Sequence, residues 1–463
     1  MNIKQTSTPL VTGLVSASIC FSFGFFSNVF KYNGLEFFYA YIGFLVLLCY
    51  PMNLIAIYFQ KAYPDLNSHS KLVYKITGSS KFRPISILLT GTMIILTGTM
   101  IILVSLVMFN MSNYILDFFD NIPAIDRLSD QTLHFSSNFP IYTSLFVVLT
   151  VIILMFVLAD KKKINLNETL KTTAHISLYL VTILMLVVIY TPQGIIGIKD
   201  FLFDINYQEV GQLRSMFGLA LVYAILSNFI SIAFYKNIIN IGDNNFNKLK
   251  TSAFKSILYN IIFSLMLCIT IYAILGDYRS YLQPNEGIQI TTIFTIVKTN
   301  YPMYYLLLEV IFTTLNLVVF VTSLKYIFQI GTRLYTKLLI LLIPFVMTTF
   351  FIESGIAYID FSNMIALHIV IIFIFLFDVF ITGWIYDAQR LSYEILKNTN
   401  TKLSPIFNIT LRILIPFICI IIAIGYIFLP MSITWQFIAA IACTIVYIVK
   451  GSVFSKIFNK RKF

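Results

Sequence analysis

In the run Asn316-Leu-Val-Val-Phe-Val-Thr322-Ser323-Leu-Lys325, two hydroxyls and an ammonium interrupt a long apolar stretch. Such groups are costly in hydrocarbon. A Thr-Ser pair on a helix can turn side-chain and backbone oxygens toward a small hard cation. Lys325 lies one turn from Thr322 and can bring positive charge to the same place. Two readings follow. In one, the stretch is a coupling-ion site where the lysine can stand in for a cation. In the other, the hydroxyls bond back to the preceding turn and Lys325 snorkels to the headgroups.

Composition identifies the elements that hold these residues. The chain is 58% hydrophobic and 11% charged, which describes a polytopic membrane protein rather than a soluble globule. Apolar segments of spanning length lie near 8–30, 36–60, 84–116, 141–158, 169–190 and 213–239. Six more follow near 251–276, 303–330, 334–352, 361–386, 405–428 and 431–450. The expected fold class is therefore all-α with about twelve transmembrane helices. With the N-terminus cytoplasmic and sides alternating, only Lys31, Arg127, Lys199, Arg214, Arg279 and Lys298 of the 32 Lys and Arg fall on the outer side. That asymmetry follows the positive-inside rule and puts both termini in the cytoplasm.

The net charge of +12 is thus a matter of topology, and nucleic acid is not expected as a partner; the partners expected are the lipid bilayer and a small solute. All five cysteines lie in apolar runs and read as packing residues. The duplicated heptad Leu89-Thr-Gly-Thr-Met-Ile-Ile and Leu96-Thr-Gly-Thr-Met-Ile-Ile reads as a small-residue packing face. The outer connections 117–140, 191–212 and 277–302 are long enough to serve as lids. No nucleotide loop, Cys/His metal cluster or Ser/His/Asp set stands out, so neither an enzyme nor an organic cofactor is expected.

Several stretches, in order, resemble the neurotransmitter:sodium symporters. They are Lys31-Tyr-Asn-Gly34 running into Pro51-Met-Asn, the spacing of Asn260, Ser264 and Gly276, Thr322-Ser323, and Trp384-Ile-Tyr386-Asp-Ala-Gln-Arg390. The last is similar to that family's Trp-x-Tyr-Gly-x-x-Arg. The resemblance implies the leucine-transporter fold within a single domain over 1–450, followed by a basic cytoplasmic tail at 451–463. Spans one to five (8–190) and six to ten (213–386) would be inverted repeats, with two extra helices at 405–450. Spans one and six would be broken at the midplane, where half-helix ends face substrate and ions.

By the same resemblance, a first sodium site takes Ala17, Ser22 and Asn260, and a second takes Val15, Ser18, Val319, Thr322 and Ser323. Ser18, Ser22, Thr97, Ser227 and Asn228 become substrate candidates. Tyr41 and Ser264 match a chloride site, although Phe217 stands where a Gln is expected, and Asp360 matches an outer gate. Span one departs from the family pattern. Phe21-Ser22-Phe23-Gly24-Phe25 lacks the expected paired glycines, Asn, Arg and Pro in ungapped register, and Ser227-Asn228 is the only obvious place for span six to unwind. Glu309, Asp378 and His368 are further polar groups in apolar spans, with proton movement as one role and structural pairing as the other.

The expected function is sodium-coupled symport of a small amino-acid-like or amine solute across a bacterial inner membrane. A proton-coupled or sodium-independent exchanger using Lys325 is the first alternative. A non-transporting sensor or assembly partner is the second.

Overall fold

Runs of 20 or so apolar residues can satisfy their backbone in lipid only by coiling, and every described element of the computed structural model is helical. The structure describes residues 3–32, 34–63, 66, 69–120, 166–203, 210–238, 249–276, 302–330, 370–399 and 402–427. The first elements are α1 (Ile3–Ser22), α2 (Phe25–Lys31), α3 (Leu35–Phe44), α4 (Tyr50–Ala62), α5 (His69–Thr77) and α6 (Arg83–Asp120). Next come α7 (Leu166–Ile189), α8 (Pro192–Phe203), α9 (Val210–Ile238), α10 (Leu249–Leu275) and α11 (Pro302–Ile330). The last are α12 (Ile371–Phe380), α13 (Ala388–Thr399), α14 (Pro405–Ile409) and α15 (Ile415–Ile427). π-Helical turns at Leu45–Cys49, Ile381–Ile385 and Thr410–Leu414 join α3 to α4, extend α12 and join α14 to α15.

Among the described residues, five helices are long and apolar enough to cross a membrane, or seven if each of two bent pairs is one span. The protein is a membrane-embedded helical bundle. The expected spans at 141–158, 334–352 and 431–450, the loops 121–140 and 277–301, Asp360, His368 and the tail lie outside the described residues.

Helix α1 runs through the middle of the bundle, packed on α10, α11 and α9. Gly13 makes the α1–α10 crossing possible. A Cβ there would lie 2.7 Å from the Asn260 nitrogen, the Ser256 carbonyl oxygen and Tyr259 Cβ. Ala17, one turn on, is wholly buried on the same face. Gly197 of α8 similarly touches the Tyr272 carbonyl of α10.

The heptad duplication packs in part as expected, with Thr92, Thr97, Gly98 and Thr99 buried. Leu89, Met93, Leu96 and Met100 form the buried stripe of α6, whereas a Cβ on Gly91 would meet nothing within 4 Å. In this duplication small and large side chains share the packing.

Filling the α1–α10 crossing tests this architecture. Gly13→Val has no room to expand, and overpacking of this kind costs about 1–3 kcal/mol. The expected outcome in detergent is a clearly lower unfolding temperature than wild type, whereas Gly91→Ala leaves it unchanged.

Candidate functional site

The centre of the bundle holds the break in span one. Helix α1 ends at Ser22 and α2 restarts at Phe25 with a bend of 67°. Gly24 supplies the turn, at φ +78°, a left-handed conformation that side-chain-bearing residues rarely adopt. The break forms although the paired glycines of the family pattern are missing, because one glycine is enough for one left-handed residue. Span six behaves otherwise. Helix α9 continues through Ser227 and Asn228 to Ile238, so the expected unwinding point lies inside a regular helix.

An interrupted helix leaves carbonyl oxygens without helical partners, and water is scarce at this depth. Side chains from α9 and α2 gather at the break. The Tyr223 hydroxyl of α9 donates to the Phe23 carbonyl at 2.9 Å. The Asn28 amide of α2 donates to the Gly24 carbonyl at 3.2 Å and to the Tyr223 oxygen at 2.9 Å. Around them Phe25 meets Tyr223, Tyr41 and Phe37 edge-on, with ring centroids 5.3, 4.7 and 5.6 Å apart. Thiols reach α9 at the same level, where the Tyr223 carbonyl accepts from Cys20 at 3.3 Å and the Ala224 carbonyl from Cys49 at 3.1 Å.

The residues matched to the first sodium site form two separate sets of hydrogen bonds. Ser22 donates to Asn316 Oδ1 of α11 at 2.8 Å. Asn260 Oδ1 accepts from Tyr41 at 3.3 Å and from Ser264 at 3.2 Å. Asn316 is a partner that reasoning from spacing did not assign, and the Tyr41–Ser264 pairing is bridged by Asn260.

For the second site, α1 packs along α11, bringing together the helices that carry Val15, Ser18, Val319, Thr322 and Ser323. These residues are buried. The Thr322 hydroxyl donates to the Val318 carbonyl at 2.7 Å, Ser323 to Phe320 at 2.9 Å and Ser18 to Leu14 at 2.7 Å. Back-bonding is therefore the arrangement present. A hydroxyl that donates its proton this way keeps oxygen lone pairs for a hard cation, so the donor set fits sodium. Among the described residues, no cluster of three His, Cys, Asp or Glu could hold a metal ion.

Of the other candidates, Thr97 is buried and bonded to its own helix at Met93. Ser227 donates to the Ala224 carbonyl. Lys325 belongs to α11, and its side chain is not among those described. Phe217 is partly exposed and stacks edge-on against Phe44, away from the polar centre's hydrogen bonds.

A second polar cluster ties the end of α4 to α13. The span formed by α12 and its π turn bends by 78° into α13 at Tyr386 and Asp387. Asp387 has φ +78° and occupies the position where the family motif carries Gly. Its carboxylate caps the Gln389 N–H at 2.8 Å and pairs with Arg412. Tyr386 donates to Glu394, and Tyr63 lies 3.3 Å from the Tyr386 oxygen. Arg390 binds Glu394 at 2.9 Å and stacks over the Tyr386 ring.

No protein-family model and no curated protein matches the chain.

Removing the phenolic oxygen tests the junction. Tyr223→Phe leaves the buried Phe23 carbonyl without its described donor, a loss of about 1–3 kcal/mol. Thermal unfolding should show that loss for Tyr223→Phe and a smaller one for Asn28→Ala, which leaves the Tyr223 bond in place.

Proposed function

We propose that the protein is a secondary transporter of the leucine-transporter type, moving an amino-acid-like or amine solute together with sodium by alternating access. One observation carries this reading. Span one is interrupted at the centre of the bundle beside buried hydroxyls and amides, and backbone of this kind persists in a membrane protein where it serves a solute or an ion. The Phe23 carbonyl at the break is held by a phenol hydroxyl, and a solute ammonium can take over the same acceptor. Thr322, Ser323 and the α1 carbonyls near Val15 and Ser18 offer the neutral oxygens that suit sodium. Coupling then follows if cation and solute together favour the closed state more than either does alone. A bacterial inner membrane, with both termini cytoplasmic, is the setting that the charge asymmetry supports.

The tyrosine bond across the break favours a second reading as well. With the break carbonyls already satisfied and α9 unbroken, the same chain suits a protein that no longer transports and acts as a sensor or assembly partner.

Thermal stability across a panel of amino acids and amines, each in sodium and in choline buffer, separates the two. A ligand of the folded state adds about 2.7 kcal/mol at a hundredfold excess over its Kd. The transporter reading expects solute-specific stabilisation that needs sodium and is lost in Thr322→Ala/Ser323→Ala. Stabilisation by no member of the panel favours the second reading.

A further inference from the structure

A buried acid–base pair sits away from the broken span. Helix α5, in the connection between spans two and three, turns His69 and Val73 inward and leaves Lys71 and Lys75 exposed. His69 Nε2 lies 3.2 Å from Asp378 Oδ1 of α12, and His69 Nδ1 lies 3.0 Å from the Ser86 hydroxyl of α6. Only 7% of His69 and 6% of Asp378 is exposed. The three residues thus tie a short amphipathic helix to two spans.

The identity of the third member matters. A hydroxyl accepts from an imidazolium and donates to a neutral ring nitrogen. Ser86 therefore satisfies Nδ1 in both protonation states, whereas a carbonyl in its place would suit the protonated nitrogen alone. The two states differ in the strength of the α5–α12 link. With a neutral ring, Asp378 is a buried carboxylate facing one neutral donor; with an imidazolium, the charges balance and the bond is charge-assisted.

The surroundings of the pair are mostly neutral. From α11, Tyr326 faces Asp378 and lies 3.5 Å from Thr90 of α6. From the π turn after α12, Thr382 bonds to the Asp378 backbone. Arg412, beyond that turn, is engaged by Asp387 and the Gly383 carbonyl. Lys81, in the 3-10 turn Ser80–Phe82 that packs on α5, is half-buried. Tyr326 is one turn along α11 from Thr322, so the pair and the candidate cation site share a helix.

We propose that His69, Asp378 and Ser86 form a proton-binding site. One proton from hydronium at the α5 end of the bundle adds to the neutral His69 ring, leaving water. It is held there between the Asp378 carboxylate and the Ser86 hydroxyl, and it returns to water when α5 moves off α12. Proton occupancy and opening of this end are then linked. The inference goes beyond the sodium reading and does not need a known solute, because the ligand is the proton itself.

The test uses the full chain in liposomes of phosphatidylethanolamine and phosphatidylglycerol, free of solute. External pH is jumped from about 8 to about 6, the interval in which imidazoles change charge, and the capacitive current is recorded. Wild type should give a transient current, His69→Gln and Asp378→Asn should lose it, and Ser86→Ala should keep it with a shifted pH midpoint. A wild type without current, or a His69→Gln current equal to wild type, overturns the proposal. Where His69→Gln and Asp378→Asn do not fold, an unshifted midpoint in Ser86→Ala overturns it. Failure of sodium to stabilise the protein, with the proton current intact, removes the sodium reading and leaves this site standing.

Discussion

One carbonyl oxygen, that of Phe23, sets the terms for the centre of this protein. Once span one is broken, this oxygen needs a donor that the hydrocarbon cannot supply. The Tyr223 phenol provides it and so ties α9 to the junction, while the Asn28 amide of α2 binds the phenol oxygen. The packing around them follows. Phe25, buried beside the junction, meets the rings of Tyr223, Tyr41 and Phe37 edge-on.

The two sharp bends in the described chain are stabilised by different chemistry. At the central bend the partners are neutral: a phenol, an amide and nearby thiols. At the bend between α12 and α13 they are ionic, with Asp387 on Arg412 and Glu394 on Arg390. The difference follows from desolvation. An ion removed from water costs several kcal/mol, so charged partners suit the end of a bundle and neutral ones its middle. His69 with Asp378 is an ion-capable pair on the buried side of that division, which is why its protonation has consequences that the Arg390–Glu394 pair, partly in water, does not share.

Much of this was legible in the chain because spanning helices follow from the length and purity of apolar runs. The described ends of α10 at Leu275 and α11 at Pro302 fall within a residue of the boundaries expected from composition. The break at Gly24 was harder to see, since the surrounding pattern departs from the family's and a lone glycine is weak evidence of a turn. Ser227 and Asn228 had the opposite effect. Their polarity suggested unwinding, yet Ser227 bonds within its own helix, as hydroxyls in apolar helices commonly do. His69 and Asp378 are separated by more than three hundred residues, and His69 falls in a basic connection that reads as a solvated loop. Only tertiary folding of α5 against α6 and α12 reveals the pair; the one available signal was the two-sided pattern of His69, Val73, Lys71 and Lys75.

Asp387 shows how a turn that favours glycine can be made without one. A left-handed residue other than glycine costs about 1 kcal/mol, and here the carboxylate offsets that cost by capping the Gln389 N–H and holding Arg412. Gly at the same position needs no such compensation. Positions 387 and 412 should therefore vary together, with Arg retained beside an acidic residue and free to drift beside glycine. The same left-handed turn can thus be built either from glycine or from an acidic residue that finds a backbone N–H and an arginine together.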